Sequence, residues 1–482
     1  MNRAMWALAP IGMLLAATPL PALQTRVEQR LAAEGLGTRF GLVVVDDTGR
    51  ELIAINPDGR FIPASNTKIF TTAAAFATLP DLDQPDRSGG AGVRLERSEA
   101  GVLDVVLVGH GDAQLSSAAD CTADCLQALA DAAAARTRVV RDVIGDDSWF
   151  PDERWSSGMS WNNIPTRSGT GISALTLDNN EVALSVRPAA PGQPPVIESA
   201  GYYAIDNRVV TVGGGATALG YERIPGSALL RVTGTIGANA APERLRLGID
   251  DPAHYAAWRL RQLLGERGVR VTGTVGVRHR PLGPGDDPRV RGAAPAPRPP
   301  SPAALTTLSG PPLATDLTLT AKVSQNLHAE LLLRRLGHQR GTGSVADGLA
   351  AVRAMLSQAG VPRTAYDFAD GSGMSTYNRV APRGTVTFLR WAARQPWGAA
   401  WRATLPVGGV DGTLGRRFAR TPLAGKLWAK TGSLNATAAI SGYLVAASGR
   451  TLTFAAYAND VPEGAAATRG LDAALLMIAA EN

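Results

Sequence analysis

Cysteine is nearly absent, two in 482 residues, which excludes a disulfide-dense scaffold and any four-cysteine zinc site. Histidine is scarce too. The five present (His110, His254, His279, His328 and His338) include no H-E-x-x-H pair, so a helical zinc-hydrolase signature is missing. Charge of one sign never accumulates: 48 Lys and Arg against 42 Asp and Glu leave a formal +6. No dense Lys/Arg stripe marks a nucleic-acid partner. Beyond the N-terminal segment no apolar run approaches the ~20 residues of a spanning helix. Glycine and proline, 53 and 32 residues, stay below the ~25–30% share at which low complexity becomes the default. What is there is a 45% hydrophobic share, enough for a core, and a length that suits more than one domain of ~100–200 residues.

The N-terminus sets the compartment. Met1 to Ala22 opens on a single charge, Arg3, continues through an apolar run and ends in small residues and prolines, the order of a secretory signal peptide. An uncleaved anchor is the alternative, and Pro10, Pro19 and Pro21 speak against it. The mature chain is therefore expected to be exported, without an integral membrane span. In an oxidising compartment Cys121 and Cys125 could close a local disulfide; two free buried thiols are the other reading. Their spacing is not that of a C-x-x-C redox pair.

Hydrophobic periodicity divides the chain. Thr25 to Leu36 reads as a helix, Phe40–Val45 and Glu51–Ile55 as a hairpin, and Ile69–Leu79 as an Ala-rich helix. At the far end Leu427–Thr431, Thr437–Val445 and Thr451–Tyr457 read as strands before a closing helix over Glu463–Ala480. The two ends share a style, as if one sheet were built from both. Between about Asp86 and Pro302 short apolar runs alternate with Gly-rich turns, which suggests a β-rich insert. Eight prolines between Pro281 and Pro302 predict a stiff, extended connector at its end.

Ser65 and Lys68 stand at i and i+3, a spacing that lets two side chains touch on a helix. A serine hydroxyl needs a base before it attacks, and a lysine serves if burial and positive neighbours lower its pKa. By itself the pair is weak evidence. Two further motifs strengthen it: Ser324-Gln325-Asn326 opens a helix, and Lys430-Thr431-Gly432 ends an apolar strand. The triple S-x-x-K, S-x-N, K-T-G marks penicillin-interacting serine enzymes.

Here the sequence resembles the penicillin-recognising serine hydrolases, and more closely their large-insert, low-molecular-mass (class C) penicillin-binding proteins, the D-Ala-D-Ala carboxypeptidase/endopeptidase family. Further motifs carry the likeness: Val323 to Glu330, Asp370-Gly-Ser-Gly-Met-Ser375 with Asn378, Gly409 to Leu414, Ala429 to Leu434, and Ser441-Gly-Tyr443. Gly109 to Asp112 and Ala174 to Asn180 add to it inside the insert. The resemblance implies an α/β (α+β) fold: a β-lactamase/transpeptidase-like catalytic domain, its central antiparallel sheet flanked by helices. That domain would comprise residues 23–85 and 306–482, interrupted by a β-rich insert over 86–305.

It also implies roles. Ser65 would be the acylating nucleophile and Lys68 its base, the choice between the two lysines for that role staying open at the level of sequence. Ser324 would pass a proton to the leaving amine in the positive field of Lys430, and Asn326 would hydrogen-bond Lys68 or the substrate backbone. Thr431, Gly432 and Ser433 would form the substrate-binding strand, Thr431 holding the terminal carboxylate and the N–H groups of Ser65 and Ser433 the oxyanion. Peptidoglycan stem peptides and β-lactams are the implied partners, with no metal and no cofactor. Gln325 stands where Asp is usual; if Ser324 and Asn326 face the cleft, residue 325 points elsewhere and activity survives. His328 is read as tuning the site or, more plainly, as a supporting or surface residue. Asp146 and Asp147, beside Trp149 and Phe150, offer a reader for a cationic stem-peptide side chain, with a solvated turn the plainer account. A β-lactamase would share nucleophile and base, but nothing in the insert identifies a base for rapid deacylation. A non-catalytic penicillin sensor or scaffold would have little use for the intact triple.

Overall fold

The computed structural model describes residues 22–98, 101–296 and 302–482. The expected signal segment, apart from Ala22, and the last prolines of the Pro-rich stretch, apart from Pro302, lie outside them. The two ends of the chain do share a sheet. Its five strands run in the order Leu427–Leu434, Thr437–Val445, Thr451–Asn459, Arg39–Val45, Glu51–Ile55, and each neighbouring pair is antiparallel. Its strands read as unbroken apolar runs because both faces are covered. Leu42 and Val44 meet Val27 and Leu31 of the first helix (Leu23–Glu34) and Leu471, Leu475 and Ile478 of the last (Ala467–Glu481). Val43 and Val45 point the other way, into a core with Phe70, Leu332, Phe388 and Trp401. The first helix stops at Gly35, sooner than its apolar pattern suggests, and leaves Leu36 86% exposed.

The β-rich middle forms its own core. One mixed sheet has the order Val275–Arg280, Val143–Pro151, Leu103–Val108, Gly92–Arg97, Thr306–Thr307. Helices Leu126–Ala134 and Pro252–Glu266 contribute Leu129, Leu260 and Leu264 to the cluster beneath it. Two three-stranded sheets and a two-stranded pair, Val139–Val140 with Arg270–Val271, complete the described part of the segment. Pairing of Thr306 and Thr307 with Val93 and Gly92 carries strand contacts of this segment through position 307.

The Pro-rich stretch differs from the extended connector expected of it. Up to residue 296 it folds into two short helical turns, Pro284–Asp286 and Pro288–Arg291. The cause is local: Asp287 caps the second turn by accepting from Arg289 N at 2.8 Å, and Pro288 occupies its first position. Arg291 then pairs with the buried Asp347 at 2.8 Å. Among the described residues no helix is long and apolar enough to cross a membrane.

Candidate active site

Ser65 lies in a tight turn, Ala64–Thr67, that runs straight into the helix Lys68–Thr78. The turn begins with Ala64 at φ 48°, left-handed backbone that a residue with a Cβ seldom adopts. It is held from two sides. Gly373 presses its backbone against the turn so closely that a Cβ there would lie 1.9 Å from the Ala64 oxygen. Gly432 does the same from the lysine strand, where a Cβ would lie 2.4 Å from the Pro63 oxygen. Between them Asn66, fully buried, donates to the Lys430 carbonyl at 2.6 Å and accepts from Ser441 Oγ and, at 3.2 Å, from Tyr457 OH.

Lys68 is fully buried. Its Nζ lies 3.0 Å from Ser65 Oγ and donates to Asn326 Oδ1 and the Ser372 carbonyl, both at 2.6 Å. Burial pulls its pKa down to about 7, with the negative charges of Asp370 and Glu330 resisting. Glu330 accepts from Gly371 N (3.0 Å) and Ser372 N (2.8 Å) and pairs with Arg334 (2.9 Å). Asp370 accepts from Gly373 N, Ser375 N and Asn378 Nδ2 at 2.8, 2.6 and 2.6 Å. Burial and the neighbouring Glu330 charge push its carboxyl up to about 6. These two carboxylates shape the 370–375 loop and oppose the burial that lowers the proton affinity of Lys68. Sequence reasoning gave them no role, although both lie inside motifs that carried the resemblance.

The second lysine mirrors the first. Lys430, also fully buried, donates to Ser324 Oγ and the Thr431 carbonyl, each at 2.9 Å. Burial, then the nearby Lys68 charge, holds it well below the ordinary lysine range. Ser324 sits at φ 64°, and Asn326 donates to the Ser168 carbonyl at 2.9 Å. Gln325 turns away from the cleft and donates to Asn179 Oδ1 at 3.4 Å. Thr431 is half-buried and donates to Thr413 Oγ1 at 2.8 Å; Gly432 is buried beneath the nucleophile turn, and Ser433 is exposed. Ser65, Lys68 and Asn326 thus form one hydrogen-bonded set and Ser324 and Lys430 a second, each around a buried amine and near enough for the two charges to interact. Such an arrangement can take a proton from a serine and return it a few ångströms away.

The chain belongs to the D-Ala-D-Ala carboxypeptidase 3 (S13) family. That family's model matches residues 23–481, and a D-alanyl-D-alanine carboxypeptidase of Actinomadura sp. (strain R39) is 35% identical over 85% of this chain and 75% of its own length. The DacB D-alanyl-D-alanine carboxypeptidase of Haemophilus influenzae is 23% identical over 89% of this chain and 87% of its own. The crystal structure of penicillin binding protein 4 from the same organism superposes with a TM-score of 0.76 at 21% identity, covering 94% of this chain and 97% of that one. The S13 chain is accordingly a serine D-Ala-D-Ala carboxypeptidase with the α/β fold of the penicillin-binding proteins, extended by β-rich sheets.

Other candidate residues fare differently. Cys121 and Cys125 are disulfide-bonded in the inserted segment. Asp146 and Asp147 form neither a solvated turn nor an open cation reader. Both are buried on the strand Val143–Pro151. Asp146 pairs with Arg94 at 3.0 Å, while Asp147 meets His279 Nδ1 and Ser173 Oγ, each at 2.8 Å. Hydrogen bonds donated to Asp147 and Asp251 push His279 up to about 10. The acidic run looked solvated because its partners lie far along the chain. His328, 1% exposed, is no surface residue.

Proposed function

We propose that the chain cleaves peptidoglycan stem peptides ending in D-Ala-D-Ala, and D-Ala cross-links, through an acyl-enzyme on Ser65, and that β-lactams acylate the same oxygen. The observation that carries the reading is Lys68, fully buried 3.0 Å from Ser65 Oγ with its pKa near 7. Lys68 takes the Ser65 proton as Oγ bonds to the penultimate D-Ala carbonyl carbon. As the C–N bond breaks, Ser324 Oγ gives a proton to the departing amine and regains one from Lys430, which the proton taken by Lys68 replaces, so that the Ser65 proton is the net one transferred. Water then hydrolyses the ester, releasing the shortened peptide and restoring Ser65. Thr431 holds the terminal carboxylate, Asn326 orients Lys68 and the substrate backbone, and the N–H groups of Ser65 and Ser433 hold the oxyanion. Losing one such donor typically costs about 10²–10³ in rate.

The solved Haemophilus influenzae relative in complex with a β-lactam supports the β-lactam reading, at a TM-score of 0.71 over 94% of this chain. The shared sheet supports a catalytic unit of residues 23–85 and 306–482, with 86–305 inserted. The family is one of extracytoplasmic cell-wall enzymes, and the first 22 residues fit a removable export signal. The test is incubation with a labelled penicillin and with a pentapeptide ending in D-Ala-D-Ala, beside Ser65→Ala. Stable labelling plus D-Ala release, both lost in the variant, is the expected result. Fast penicillin turnover without D-Ala release would instead make the chain a β-lactamase.

A further inference from the structure

The inserted segment reaches the acylation site at several points, among them the Ser168 carbonyl, the Ser156 hydroxyl and the side chain of Asn179. Asp178, Asn179 and Asn180 occupy the left-handed region consecutively, at φ 51°, 58° and 51°, backbone that residues with a Cβ hold only where their surroundings impose it. Its ends are fastened within the insert. The Asp178 carboxylate accepts from Ser117 N at 2.8 Å and Ser117 Oγ at 2.6 Å. Asn180, fully buried, donates to the Gly171 carbonyl at 3.0 Å and accepts from Leu177 N at 3.1 Å.

Asn179 faces the other way. Its Oδ1 meets His328 Nε2 at 2.7 Å and accepts from Gln325 Nε2 at 3.4 Å. His328 is fixed on its far side by the buried Asp316 of the helix Leu313–Lys322. Gln325 stands between the two residues that touch the lysines, Ser324 at 2.9 Å from Lys430 and Asn326 at 2.6 Å from Lys68. The left-handed Ser324 lies between two helix ends, and the Gln325 side chain ties this corner to the Asn179 turn.

We propose that Asn179 is a positioning residue of the acylation site: the strained turn holds it out so that, through Gln325 and His328, it locks the Ser324–Asn326 corner against both lysines. The proposal rests on Ser65 being the acylated residue. Asn179 touches no reacting atom; it acts by keeping two distances short, and geometric error of this kind is felt in rate more than in stability.

Asn179→Gly tests it, because glycine adopts the left-handed turn freely and deletes only the side chain. Acylation of the full chain by labelled penicillin is expected to slow about three- to tenfold, the worth of one or two such hydrogen bonds, at an unchanged thermal midpoint. Asn179→Asp, which presents an acceptor to the same donors, should restore most of the rate. An unchanged rate in Asn179→Gly overturns the proposal, and so does an equal loss in Asn179→Asp. Persistent labelling of Ser65→Ala is a separate result, and it would remove the reading beneath.

Discussion

Lys68, the base proposed above, is fitted to that role by its place in the fold. A lysine in water holds its proton at neutral pH; burial brings this one down to about 7 while Asp370 and Glu330 hold it up. The sign of the pH effect follows. Below about 7 the amine is protonated and cannot accept from Ser65, so acylation should rise with pH through that region and level off above it. Glu330→Gln keeps an oxygen for the Gly371 and Ser372 amides but removes a negative charge that favours the ammonium form. Its acid limb should therefore move to lower pH when penicillin acylation is measured from pH 5 to 9. A limb that stays, or moves up, would show that another group sets it. None of this balance is visible in S-x-x-K, since the two carboxylates stand 262 and 302 positions beyond Lys68.

At the scale of elements the decisive contact joins the nucleophile turn to the lysine strand. Asn66 ties them by hydrogen bonds, and Gly432 lets them approach within the radius of a methyl group. The third residue of K-T-G is glycine for that steric reason. Gly432→Ala places a carbon 2.4 Å from the Pro63 oxygen, and a backbone atom cannot swing aside as a side-chain tip can. Separating turn and strand by about 1 Å should lower acylation about 10²-fold, while the strand's pairing with Thr437–Val445 persists. Rapid-quench labelling together with a circular dichroism melt would separate the two effects. A variant that acylates at the parent rate would refute the steric account. The motif showed which residues matter here; only packing shows why one of them carries no side chain.

For the whole molecule, the start of the β-rich middle and the helix Asn326–His338 are joined by buried charge. Arg335, on the helix Asn326–His338, grips Asp86 through both terminal nitrogens and reaches Ser88 Oγ at 2.9 Å. Burial works to raise the Asp86 carboxyl, but hydrogen bonds and charge from Arg335 hold it below the usual carboxylate range. That contribution is present above the ordinary value near 3.8 and is lost as pH falls through the lowered one. Arg335→Ala strands a buried carboxylate and should cost about 3–5 kcal/mol, read by urea denaturation at pH 7. The deficit should narrow in acid, where Asp86 is protonated in both proteins; a constant deficit would argue against the ion pair.

Properties that depend on neighbours in the chain were legible without the fold. Side chains three apart share a helix face, alternating or continuous apolar runs make strands, and three short motifs in order point to one chemistry. These rules picked out Ser65, Lys68, Ser324, Asn326 and Lys430, which the structure brings to one place, and the sheet shared by the two ends of the chain. They failed where a residue's surroundings come from elsewhere. The acidic pair Asp146 and Asp147 read as solvent-facing because Arg94, Ser173 and His279 are distant in sequence. The prolines after Pro281 read as a free connector because the anchor, Asp347, comes later. Asn179 carried no signal beyond its motif. Desolvation, close backbone approach and long-range ion pairing depend on what folding brings within a few ångströms, so the chemistry's identity lay in the local pattern and its tuning in the tertiary structure.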